Sequence, residues 1–164
     1  MDIKSEIKKV YDNRLLKTEK QAEEFEQALT ILCEYGDVSI VKDLILAFDD
    51  NTEDHEVMFS LVHSIERLYK SKVEEGLKLI ATSVPAVISY GREWIEILHY
   101  RILNHPHVRS IYAKVLESID IQTRNIIKDL LVDIKQEDPE LFGKSVDEVL
   151  DNYLRTYYKN FDWL

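Results

Sequence analysis

Histidines, a lone cysteine and a few glycines are the raw material for any catalytic or metal centre in this chain, and their spacing decides what they can do. His55-Glu56 begins as a zinc-peptidase helix does, but that chemistry needs a second imidazole four residues on, and position 59 is Phe. His63 lies eight residues from His55 across an apolar stripe, so the pair reads as one helix-start and one polar-face histidine. His105 and His107 flank Pro106, which puts both rings in a solvated turn with no carboxylate near in sequence. Glycines at 36, 76, 91 and 143 are too scattered to cradle a phosphate, and no G-x-S-x-G turn occurs. Cys33 continues the apolar series Phe25, Ala28, Leu29 and Leu32, so it is expected in the core, without the exposure a nucleophile needs. A single cysteine also excludes an internal disulfide or a multi-cysteine zinc site. These residues point to a non-enzymatic protein with no metal and no cofactor.

Charge is the more informative feature. The 164 residues carry 31 acids and 21 bases, a formal charge of 10 negative. Such a chain repels phosphate backbones and anionic lipid, which disfavours nucleic-acid and membrane-surface binding and favours a basic protein partner. Residues 1–60 hold 15 of the acids and 7 of the bases. From Asp43 through Glu66 there is no Lys or Arg at all. Within that stretch Asp49, Asp50, Glu53, Asp54 and Glu56 crowd one turn and the start of the next helix. Two readings follow: a solvated acidic loop that caps helices, or an electrostatic docking patch for a basic surface.

A second group lies further on. Trp94 and Arg101 are seven apart and share a helix face, with Asn104 three residues beyond as a candidate C-terminal cap. Trp94 reads as an anchor packed between helices, and Arg101 as the partner of a carboxylate such as Glu66. Tyr153 and Tyr157 continue an apolar stripe, whereas Tyr158 and Trp163 fall off theirs, as an end cap or part of an interface, and Phe161 divides between the same two readings.

The elements that must position these residues are all helical. Thr18 and Gln21 form a capping box ahead of Phe25, Ala28, Leu29 and Leu32, and Gly36 closes that helix. Asp37 is placed to cap a helix through Val38, Val41, Leu44, Ile45 and Phe48, which a short connection makes an antiparallel neighbour of the first. Val57 to Leu68 carries a stripe broad enough for a central helix. Ser71 with Glu74 opens another, Pro85 starts one running through Trp94 to Asn104 that Gly91 weakens at its midpoint, Pro106 the next, Asp120 the next, and Ser145 with Glu148 the last. Pairs spaced by about 30 to 40 residues predict an all-α, HEAT-like array of helical hairpins, about eight or nine helices in a single domain over residues 1–164, a closed helical bundle being the competing architecture. No apolar run approaches a membrane span and the N-terminus lacks an apolar leader core, so the cytoplasm is the expected compartment.

With these residues in view, the segment from about Phe25 to Tyr112 resembles the immunity protein 30 family, helical antidotes encoded beside bacterial polymorphic toxins. The features that carry the resemblance are Ala28, Leu29 and Leu32, the Phe48-Asp49-Asp50 helix end, the VMFSLVHSIE stretch over Val57–Glu66, and the REW and RILN blocks at Arg92–Trp94 and Arg101–Asn104. The resemblance implies a cytoplasmic inhibitor that binds one cognate secreted toxin, such toxins often being nucleases with basic clefts. It assigns no binding residues; the acidic turn is inferred from charge alone. A HEAT-like adaptor binding a cellular partner through Tyr and Trp side chains is the alternative, and a metal-dependent helical hydrolase a third reading.

Overall fold

The computed structural model describes residues 2–159, with side chains through residue 151. Tyr153, Tyr157, Tyr158, Phe161 and Trp163 therefore lie outside the described side chains. Every regular element among the described residues is helical. The elements are α1 (Ile3–Asp12), α2 (Glu19–Tyr35), a short wound segment containing α3 (Val41–Leu44), α4 (His55–Tyr69), α5 (Val73–Leu103), α6 (Pro106–Ser118), α7 (Ile121–Glu137) and α8 (Pro139–Lys159). None is long and apolar enough to cross a membrane. The order is compatible with a HEAT-like array of hairpins. Two compact units divide the chain, Met1–Ile95 and Glu96–Leu164, with the boundary inside α5.

In the first unit, α2 begins as the capping box predicts. The Thr18 hydroxyl accepts the Gln21 N–H at 3.1 Å, and the Gln21 side chain reaches back one residue further than expected, to the Lys17 N–H at 2.7 Å. Gly36 ends the helix with φ of 76°, the left-handed cap that an L side chain resists. Its principal neighbours are α1 and α4 rather than the following segment. That segment was expected as one helix and is instead a 3-10 turn over Val38–Ile40, α3, and a second 3-10 turn over Ile45–Ala47. Val38, Ile40, Val41, Leu44, Ile45 and Ala47 are all buried, more than one face of a helix can cover, and the β-branched members have weak helix propensity. Packing on several sides therefore sets the winding.

The start of α5 falls after Lys72, whose carbonyl takes the first helical bond from Gly76, so Ser71 does not hold the cap position. The break expected at Pro85 is absent. Although Pro85 offers no N–H to Ala81, the helix runs through it and loses helical geometry only at Gly91, where φ is −123° and ψ is 22°. A Cβ at Gly91 would stand 2.8 Å from the Phe48 carbonyl oxygen and 2.9 Å from a Val87 methyl. The site is reserved for hydrogen by close approach.

In the second unit α8 packs on α6 and α7. The helix α6 starts with Pro106 at its first position, and the His105 ring Nδ1 accepts the Val108 N–H at 3.3 Å. Asp120 caps α7 by accepting the Thr123 N–H at 2.9 Å, and this bond holds its carboxyl below the usual range. The last helix starts at Pro139, with Asp138 accepting the Leu141 N–H, so Ser145 and Glu148 sit inside it. Their i, i+3 spacing instead presents both to Arg109, which pairs with Glu148 at 2.9 Å and reaches Ser145 at 3.4 Å. In the core, His99 Nε2 and the Tyr112 hydroxyl are hydrogen-bonded at 2.6 Å, both fully buried, and burial pushes the Tyr112 pKa far up.

Two substitutions test these packing arguments by urea unfolding. Gly91→Ala should cost about 1–3 kcal/mol because the Phe48 backbone must move. Tyr112→Phe should cost about 1–3 kcal/mol by leaving a buried imidazole nitrogen without this partner.

Candidate functional site

The acidic turn follows directly from the kink in α5. A helix that breaks exposes amide N–H groups on one side and carbonyls on the other. Asp50 engages both. Its backbone N–H donates to the Tyr90 carbonyl at 2.9 Å, and its carboxylate accepts the Glu93 N–H at 3.0 Å. Burial holds the Asp50 carboxyl above the ordinary aspartate range, against the opposing pull of the Glu93 and Trp94 backbone bonds. The Tyr90 hydroxyl adds a bond to the Leu46 carbonyl at 3.2 Å.

This docking brings the aromatic residues together. Trp94, 3% exposed, lies parallel to Phe48 with centroids 6.1 Å apart and an interplanar angle of 2°. Phe59 meets it edge-on at 5.5 Å and His55 tilts against it at 5.8 Å. Offset and edge contacts of this kind are worth about 0.5–1.5 kcal/mol each beyond area.

On its other side the turn is fastened to the loop between α1 and α2. Asp49 is buried, 6% exposed, and faces Arg14 at 3.3 Å; it also accepts the Asn51 N–H at 2.9 Å. Arg14 in turn lies 4.1 Å over the Tyr11 ring. The Glu53 N–H donates to the Leu15 carbonyl at 2.8 Å, next to Leu16, a buried residue at φ of 51°. Left-handed geometry costs a leucine about 1–2 kcal/mol, which the surrounding bonds must hold in place. Asp54 is half-buried and caps α4 by accepting the Val57 N–H at 3.0 Å.

The five acids of the turn thus divide by orientation. Asp49 and Asp50 work inward, Asp54 works along the helix start, and Glu53 and Glu56 are exposed. Glu66 is half-buried on α4, while Arg101 and Asn104 are exposed and belong to the second unit. Cys33 is half-buried rather than in the core, with its thiol 3.8 Å from the Ser64 carbonyl. No group of three or more His, Cys, Asp or Glu able to hold a metal occurs among the described residues. Sequence reasoning missed Arg14 and Tyr90 as supports of the turn; Gly91 was legible as a weak point of its helix, but not as the place where the turn docks.

The family model described as immunity protein 30 matches residues 12–112. The match begins at the end of α1, earlier than Phe25, and so takes in the Arg14 loop as well as the turn, the kink and Trp94. No curated protein and no solved structure matches the chain.

Asp50 gives a prediction with a defined sign. An acid whose pKa is higher folded than unfolded stabilises most below its unfolded value, and that contribution is lost as pH rises through the folded one. Asp50→Asn keeps an oxygen acceptor without a charge to desolvate, so its urea midpoint should gain on the parent as pH rises from about 3 to about 7. Asp50→Ala, which leaves the Glu93 N–H without its carboxylate partner, should cost about 1–2 kcal/mol throughout.

Proposed function

The chain belongs to the immunity protein 30 family, and from that premise we propose that it acts in the cytoplasm by binding and neutralising a cognate secreted toxin whose surface is basic, as in a nuclease. It performs this role without catalysis. The observation that carries the reading beyond the family is the acidic turn held on a rigid base. Glu53 and Glu56 are exposed, while around them the Glu53 N–H is tied to Leu15, the Asp50 N–H to Tyr90 and the Asp54 carboxylate to the Val57 N–H. Like charges held close repel one another, which costs the free protein stability, and an opposite surface relieves that cost on binding. The inward pairing of Asp49 with Arg14 and the docking of Asp50 on α5 make these two the framework of the patch, with Glu53 and Glu56 as its outward charge.

Long-range attraction of this kind acts chiefly on the encounter. Reversing Glu53 and Glu56 together to Lys should slow association with the toxin encoded beside this gene by about tenfold at low ionic strength, and by less near 0.15 M salt. Stopped-flow mixing reads the rate, and growth rescue on co-expression reads protection. Unchanged rates at low salt would move the docking site away from this turn.

A further inference from the structure

Three lysines on the first two helices find a carboxylate one turn away, Lys8 with Asp12, Lys9 with Glu6 and Lys20 with Glu24. The face of α4 is built the other way. Glu56, Ser60, His63, Arg67 and Lys70 fall at i, i+4, i+7, i+11 and i+14, a single stripe along the helix, and none of them is buried. Three and four positions after Glu56 stand Phe59 and Ser60, and the same distances before Arg67 stand Ser64 and His63. Neither charge meets an opposite one within its own helix. Glu53, Glu56, Arg67 and Lys70 are all exposed, and none forms an ion pair among the described residues.

Sign is thereby sorted by position. Glu53 and Glu56 stand at the start of the helix and Arg67 and Lys70 at its end, the order that the helix dipole favours. At 1.5 Å of rise per residue, Glu56 lies about 16 Å along the axis from Arg67 and about 21 Å from Lys70. Both separations exceed the Debye length of about 8 Å at 0.15 M salt, so the two ends do not cancel and each presents its own field. Ser60, His63 and Arg67 also wall an open cleft against α2, where Glu26 and Cys33 line the other side. Its mixed lining selects neither sign of small guest, and the cleft serves here only as the flank of the stripe. A uniformly basic partner would gain at Glu53 and Glu56 and lose at Arg67 and Lys70. Like charges set against each other across an interface are what rejects a wrong partner.

We propose that the exposed face of α4 is the docking stripe for the toxin, and that its occupant is a toxin surface carrying a basic and an acidic patch about 16–21 Å apart, the first set on Glu53 and Glu56 and the second on Arg67 and Lys70. The proposal rests on the neutralising role above and makes the partner's charge two-signed rather than uniformly basic. Turned end for end, the same surface would set like charges on like. The stripe thus fixes the orientation of docking as well as its rate.

Stopped-flow association at low ionic strength tests this, the probe being a cognate toxin chosen as one whose growth arrest co-expression of this chain relieves. The sign of one effect decides it. Arg67→Glu combined with Lys70→Glu makes the chain more acidic, so a uniformly basic partner would be met faster, whereas the two-signed partner should be met about fivefold more slowly. Arg67→Gln with Lys70→Gln, a milder change at the helix end, should slow association by about twofold. Lys114→Glu with Lys144→Glu, the same change of charge on exposed sites of the second unit, should not slow it. If both Arg67 and Lys70 variants associate at the parent rate or faster while Glu53→Lys with Glu56→Lys still slows the encounter, the stripe is overturned and the neutralising role stands. Equal slowing by the Lys114 and Lys144 pair overturns the stripe in the same way. A parent chain that relieves no arrest and forms no complex overturns the neutralising role instead.

Discussion

Asp50 spans the break in α5, and the first unit is arranged around that one interaction. Its amide bonds Tyr90 before the kink and its carboxylate bonds Glu93 after it, so a residue from the turn completes a helix more than forty positions away. The partial positive charge at the restarted helix favours an anion there, while burial penalises it. The raised pKa of Asp50 says that desolvation wins. The fold accepts that cost because the same contact sets the close approach of Phe48 to Gly91 and lays Trp94 flat on Phe48. Phe59 and His55 also pack against the indole, one edge-on and one tilted.

Phe48-Asp49-Asp50, Phe59 within the VMFSLVHSIE stretch and Trp94 within REW are distant in sequence and meet at one aromatic cluster. The family match opens at residue 12, just ahead of Arg14, whose pairing with buried Asp49 ties the opposite side of the turn. A surface that must dock quickly gains from such bracing, because fewer backbone and side-chain freedoms are lost on binding. The carboxylates inside the turn act as structural fasteners, and those outside it are left for solvent or a partner.

Local chemistry was legible in the sequence and remote chemistry was not. Thr18, Gly36, Pro106 and Asp120 do what their neighbours two to four residues away require, so a helix end could be read from a short window. Ser145 and Glu148 have the spacing of a capping box but serve Arg109, a choice made by a helix 36 residues upstream. Pro85 read as a helix start and Gly91 only as a weak point, yet the helix runs through Pro85 and breaks at Gly91, where the close approach of the Phe48 carbonyl leaves no room for a Cβ. For the same reason the acidic turn could be found from charge, yet the inward roles of Asp49 and Asp50 could not. Cys33 kept its apolar spacing and still came to line a cleft, since the stripe on α2 turns from core to groove at its edge.

The claim at the centre is that the acidic turn of the first unit is where a toxin is held. Hydrogen–deuterium exchange of this chain alone and in complex with a cognate toxin measures that directly. Protection should appear over residues 49–57. Protection confined to residues 96–151, with the turn exchanging as in the free protein, would contradict it.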